Sequence, residues 1–349
     1  MLLSTDSKGN LLEYGIDSTT AALTLMCNTG TAAVGPIVVT KNNLFVYVLD
    51  LTAGNQIFGF QIAHSKSGAL AAIAGSPFKL TGSAFGDTIT VDPMNRFVYV
   101  TDASNSAVHV LSIAQSGALA EVATSPVSVS TPDSIALTPS GNIAYVTDFT
   151  DGNIFIFSVG ADGSFTSNPA SNSPLIIPSV NDRAHFGLVH PTANLLFTAN
   201  AESVSAYIID TTNAGALSLA ASSPVQTGGF QIEPFAVALD KSGLFLYVTP
   251  AGAAFGSGGF TSDNIIGYQV NTTDGGLTPI PDAPFASTST LDIIANPLGS
   301  QMFVQSVTTT SATIQVESID NAGNLTASGT PLTVTAIAGV GAMAIANIQ

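Results

Sequence analysis

Asp133, His185, Arg183 and Glu202 are the residues of this sequence whose types could combine in a hydrolytic reaction. A carboxylate beside an imidazole can take a proton from water. A guanidinium can offset the charge that forms on a carbonyl oxygen under attack. Asp87 and Asp148 add further carboxylates; grouped carboxylates raise one another's pKa, and a nearby cation lowers it. The same oxygens with one imidazole could instead hold a divalent cation. These residues are scattered between positions 87 and 202, so only the fold can bring them together.

That fold is written as a repeat. The strand-like segments MLLSTD, LFVYVLD, RFVYVTD, IAYVTD, LLFTAN, LFLYVTP and QMFVQS end at Asp6, Asp50, Asp102, Asp148, Asn200, Pro250 and Ser306, at intervals of 44 to 56 residues. Each after the first follows an inner strand and a tight turn, and each precedes a polar loop, a third strand, a Gly turn and a weaker fourth strand. A period near fifty with several short strands per unit predicts propeller blades. No segment keeps a helical apolar period for ten residues, so almost no helix is expected. The chain begins inside a unit, and GAMAIANI (341–348) is an inner strand left without its own blade. Pairing it with the first residues closes the ring and leaves no open sheet edge there. The expectation is an all-β, seven-bladed β-propeller, with four antiparallel strands per blade and a closing blade shared between the N- and C-termini. It forms one domain, 1–349, with blades at approximately 1–30 plus 339–349, 31–82, 83–129, 130–180, 181–230, 231–288 and 289–338.

In such a ring the starts of the inner strands and the loops after the second strands share one rim. The position six residues before the inner-strand Pro, or its equivalent, holds Gly35, Asp87, Asp133, His185, Phe235 and Leu291 in successive blades. Asp87, Asp133 and His185 are therefore expected together at the channel mouth, with Arg183 approaching from the preceding loop and Asp148 and Glu202 on neighbouring loops. The plainer expectation is that these groups only solvate a water-filled opening. Asp6, Asp50, Asp102 and Asp148 recur at one position, which suits capping of their own loops. His109 and His64 read as packing or surface residues, and His190 lies at the rim opposite His185. The long Gly-rich loop 251–263 carries Phe255 and Phe260 on the same rim as the cluster, as a lid that contacts ligand or as a mere insertion. It has no Lys and no following helix, so it is no phosphate cradle.

Composition narrows the partners. Seven Lys and Arg against 23 Asp and Glu give a formal net charge of −16, which disfavours nucleic acid, anionic membranes and phosphorylated substrates. No apolar run is long enough for a membrane span. The single cysteine, Cys27, excludes an intramolecular disulfide framework. A Ser-, Thr-, Asn- and Gly-rich, Lys-poor chain resembles exported bacterial proteins, so an extracytoplasmic monomer is expected, although the first residues hold no signal-peptide core. No cofactor is required, with a divalent cation as the exception noted above.

The segments SGALAAIAGSPF (67–78), SGALAEVATSPV (116–127) and GALSLAASSPV (215–225), with the YVTD strands, resemble the seven-bladed lactonase-type propellers of the 6-phosphogluconolactonase and muconate-cyclase-like group. The resemblance covers nearly the whole chain. It implies lactone chemistry at the channel mouth, carried by a His near the start of one inner strand, an Arg opening the next, and a Glu after the Asn that ends that blade's second strand. Here Asp133 stands at the His position, His185 at the Arg position with Arg183 two residues earlier, and Ala201 at the Glu position with Glu202 next. Two functions remain open: a lactonase-like hydrolase acting on a neutral lactone or sugar-derived ester, and a non-catalytic scaffold that binds a carbohydrate, another ligand or a protein.

Overall fold

Runs of β-branched and aromatic residues, punctuated by Gly and Pro turns, form short antiparallel strands throughout the computed structural model. The structure describes residues 1–6, 8–17, 20–31, 33–52, 55–63, 70–82, 86–148, 150–167, 172–176, 183–227, 234–250, 264–287, 290–307, 311–335 and 343–347. Among these the strands form seven separate sheets and no helix, so no helix is long and apolar enough to cross a membrane. In the third sheet Ile89–Val91 is the inner strand, followed outward by Phe97–Asp102, Ala107–Ile113 and Leu119–Glu121. The others repeat this order, which makes the protein the expected seven-bladed propeller.

Seven apolar clusters hold the described residues together, each built from two neighbouring blades. Tyr47 and Leu49 of the second blade meet Val98 and Val100 of the third, and Leu195 and Phe197 of the fifth meet Leu246 and Val248 of the sixth. Polar side chains add stitches. Tyr47, Tyr145 and Tyr247 donate their hydroxyls to the carbonyls of Gly117, Gly215 and Gly323 in the next blade's lower turn, at 2.8, 2.9 and 2.7 Å. Tyr99 breaks the series. Its buried hydroxyl has no partner among the described residues, and its ring packs on Phe165 with centroids 5.6 Å apart.

The Ser-Pro pairs have an equally local cause. They interrupt the fourth strand, so that in the second blade Leu70–Ala72 and Phe78–Lys79 pair with opposite ends of Gln56–Ile62. The gap would orphan one N–H of the third strand. The Ser hydroxyl accepts it instead: Ser76 from Gly59, Ser125 from Val110, Ser173 from Ile156 and Ser223 from Ala206, at 2.8 to 2.9 Å. An unmet buried N–H would cost about 1–3 kcal/mol.

Ring closure follows the predicted pairing. Leu2, Leu3 and Ser4 pair with Ile345, Ala344 and Met343, so the last described strand completes the first blade. The backbone nitrogens of Met1 and Ala346 each donate to the other's carbonyl at 2.9 Å. Asp292 of the seventh blade accepts the Met343 N–H at 3.2 Å and the Ile293 N–H at 2.8 Å. Burial pushes the Asp292 carboxyl up to about 7 against these two bonds, and burial also raises Glu317 to about 7.

Two outcomes follow. Removing residues 341–349 deletes the buried Met343 and Ala346 with their ladder. At ~2–5 kcal/mol for a Met-sized core truncation, the loss is expected to be at least about 3 kcal/mol in urea denaturation. Because both raised carboxyls hold protons in the folded chain that the unfolded chain has released, stability is expected to fall as pH rises from ~4 to ~7 and then to level off. Asp292→Asn should flatten much of that slope.

Candidate functional site

The two residues that meet at the channel mouth come from successive inner strands. Asp133 lies in Pro132–Leu137 and His185 in Ala184–Val189. In both strands the ladder to the second strand breaks register at the start, between Pro132 and Ile135 and between Ala184 and Phe186. Such an irregularity re-aims a side chain. The break recurs at Pro234/Ala236 and Thr290/Asp292, so the architecture supplies it and the two blades fill it with reactive groups.

His185 Nδ1 stands 3.0 Å from Asp133 Oδ2, and the side chains are 7% and 18% exposed. Threonines of the second strands hold both residues from the blade before. Thr101 donates to the Asp133 carbonyl at 3.2 Å, and Thr147 donates to the His185 carbonyl at 2.6 Å. The Thr147 hydroxyl also accepts the Ser134 N–H at 3.0 Å, while the Ser134 hydroxyl accepts the Gly187 N–H at 2.9 Å. Thr147 and Ser134 thus lock the fourth and fifth blades together directly beneath the pair.

The remaining predicted residues fall into three groups. Asp87 is exposed on the same rim, where its Oδ2 accepts the Ala103 N–H at 2.7 Å. Loss of water around the carboxyl raises its pKa, the Ala103 bond opposes this, and the charges of Asp102 and Asp133 raise it further. Arg183 and Glu202 are brought together through backbone: Ala201 N–H donates to the Arg183 carbonyl at 3.0 Å, and Thr227 fixes the Glu202 carbonyl through its hydroxyl at 2.7 Å. Gly152, at φ +71°, lies so close that a Cβ there would stand 2.7 Å from the Arg183 Cα. Asp148 is fully buried; its Oδ1 accepts from the Thr131 hydroxyl at 2.5 Å and the Thr150 N–H at 2.8 Å, and its Oδ2 has no partner among the described residues. Phe255, Phe260 and the whole of 251–263 lie outside the described residues, as does His64.

One buried network has no counterpart in the sequence-based expectation. His109 sits 2.6 Å from Glu121 through Nδ1 and 3.6 Å from Asp102 through Nε2. Burial pushes the Glu121 carboxyl up, but bonds from Ser125, His109 and Thr81 outweigh it and hold the group below its ordinary range. The signal was available: Glu121 stands where the second blade's equivalent strand, Leu70–Ala72, has Ala72. His190 is spent on structure at the far rim, accepting the Ala193 N–H at 2.8 Å. Among the described residues no three His, Cys, Asp or Glu side chains converge as metal ligands, so the divalent-cation alternative finds no ligand set there.

Fold and rim together define a seven-bladed β-propeller with a carboxylate–imidazole pair at one mouth of its channel. The chain belongs to the seven-bladed β-propeller lactonase family, whose sequence model matches residues 2–340. It is similar in structure to a putative 6-phosphogluconolactonase from Bacteroides uniformis, at TM-score 0.80 and 16% identity over 98% of each chain. A putative 6-phosphogluconolactonase from Bacteroides fragilis gives TM-score 0.77 and 16% identity over 97% of this chain and 95% of that one. The periplasmic gluconolactonase PpgL of Pseudomonas aeruginosa gives 0.78 and 15% over 100% of this chain and 99% of that one. At such identities the structural likeness carries the fold alone. No curated protein sequence matches the chain.

Thr147→Val keeps the shape of the side chain and removes its bonds to His185 and Ser134. It is expected to cost about 1–3 kcal/mol in chemical denaturation. A loss much smaller than this would show that the seam beneath the pair is not what holds it.

Proposed function

We propose that the protein hydrolyses a neutral lactone or sugar-derived ester at the mouth where Asp133 meets His185. The observation that carries this reading is their 3.0 Å contact. Asp133, as acceptor, keeps the proton on Nδ1, which leaves Nε2 to act as base. A water gives its proton to Nε2 as its oxygen bonds to the carbonyl carbon, and the carbonyl becomes an oxyanion. Arg183, two residues before His185, offsets that charge. As the oxyanion collapses the ring C–O bond breaks, and the leaving oxygen takes the proton back from His185. Glu202 and Asp87 accept hydrogen bonds from substrate hydroxyls.

Membership of the lactonase family supports the reaction class. The acidity of the rim supports the substrate class. Asp87 senses the charges of both Asp102 and Asp133, and a phosphate dianion would enter against all three. The substitutions at the family's His, Arg and Glu positions favour the second reading, a non-catalytic scaffold that binds a carbohydrate or protein at the same rim.

Turnover separates the two. Purified protein is expected to open at least one of a panel of γ- and δ-lactones above the buffer rate. His185→Ala and Asp133→Asn should each lower kcat/KM by ~10²–10⁴-fold, the usual share of a positioned base. A panel without turnover, or with turnover indifferent to His185→Ala, overturns the hydrolase reading.

A further inference from the structure

We infer that the end of the channel remote from His185 is a binding site for a small monocarboxylate with an apolar tail, held by Lys41. The inner strand of each blade runs from one mouth to the other, and four strand residues cover ~13 Å at ~3.3 Å each. Just past that strand a Pro opens the turn in four blades, at Pro93, Pro139, Pro191 and Pro297. The second blade puts Lys41 in this place, as the sixth puts Lys241, and the residue before Lys41 keeps the same turn bond, Thr40 N–H to the Phe45 carbonyl at 3.0 Å. A long cationic side chain therefore replaces a short rigid one at the lip of the lumen.

Lys41 lines two cavities there, of about 400 and 290 Å³, which adjoin along Lys41, Thr90 and Val91. The larger crosses to the fourth and fifth blades, where Ile135, Leu137, Leu188 and Val189 are among its lining residues. The smaller reaches Ala344 and Ile345 of the closing strand. Its larger partner lies within the roughly 300–1,000 Å³ range of small-molecule sites. Among the described residues no other charged side chain lines either space.

Lys41 is exposed as a residue, but loss of water around its amine lowers its pKa. No carboxylate or carbonyl answers its amine among the described residues, although the chain carries 23 Asp and Glu. An ammonium that no carboxylate answers gains from one compensating oxygen anion, and the apolar part of the larger cavity gains from burying hydrocarbon. A single positive charge matches a monoanion rather than a dianion. The combination selects an aliphatic or aryl carboxylate. This inference does not rest on the lactone reading, because Lys41 follows the inner strand of its blade whereas His185 stands at the start of its own.

The test is calorimetric titration of the whole protein with octanoate, with octanol as the neutral comparator. Octanoate should saturate at one per chain, and Lys41→Met, which keeps the stem and loses the charge, should weaken it at least tenfold. Lys41→Arg should retain binding, and octanol should bind weakly and equally to parent and variant. Unchanged melting temperatures establish that the variants are folded, and Lys41→Gln serves if the Met variant is not. Methyl resonances of Val91, Leu137 and Leu188 should shift on octanoate addition. Absence of saturable binding, binding indifferent to loss of the charge, or octanol binding as tightly as octanoate overturns the proposal. None of these results bears on lactone turnover at His185.

Discussion

Each blade of this propeller has two apolar faces, and only the neighbouring blades can bury them. That constraint governs everything else in the structure. A four-stranded sheet standing alone would expose both faces, so the stable unit is the wheel and not the blade. The seven clusters each draw on two blades, and two of them are completed only when Met343–Ile345 docks beside Leu2–Thr5. Closure is thus a condition for the core.

The same seam builds the rim. Threonine hydroxyls at the tops of the second strands reach across to carbonyls of the next inner strand: Thr5 to Gly35, Thr101 to Asp133, Thr147 to His185. These bonds fix where the first residues of successive inner strands stand relative to one another. Where blades four and five supply a carboxylate and an imidazole at those positions, the seam that buries apolar surface also sets a 3.0 Å contact between residues 52 apart in sequence. The polar pair therefore depends on the hydrophobic wheel for its geometry. In the second blade Leu49 takes the place of the threonine, and its carbonyl lies so near Gly35 that a Cβ there would come within 2.2 Å.

The wheel is legible in the sequence because its periodic devices are local. The aromatic of the second strand, its terminal Asp, the Gly of the lower turn and the Ser-Pro of the fourth strand each answer a need met inside one unit or its immediate neighbour. Counting back from Pro139 and Pro191 brings Asp133 and His185 to one rim because propeller blades are nearly congruent. The rest resists such counting. The Asp102–His109–Glu121 network depends on how far a third-strand side chain reaches into its own blade, and strand alternation alone leaves His109 as packing. The burial of Asp148 depends on Thr131 folding back over it, a backbone choice at φ +24° that no pattern announces. Lys41 stands where four blades have the turn Pro, but so does Lys241, and that Lys41 borders the two cavities appears only with the opposing walls in place.

The account stands on Asp133 fixing the tautomer of His185 across the blade seam. A long-range ¹H–¹⁵N correlation spectrum of the imidazoles, with His185→Gln used for assignment, reads this directly at a pH where the ring is neutral. The account predicts that His185 carries its proton on Nδ1 and not on Nε2, and that Asp133→Asn abolishes this preference. A neutral ring protonated on Nε2, or a tautomer indifferent to Asp133, would contradict it.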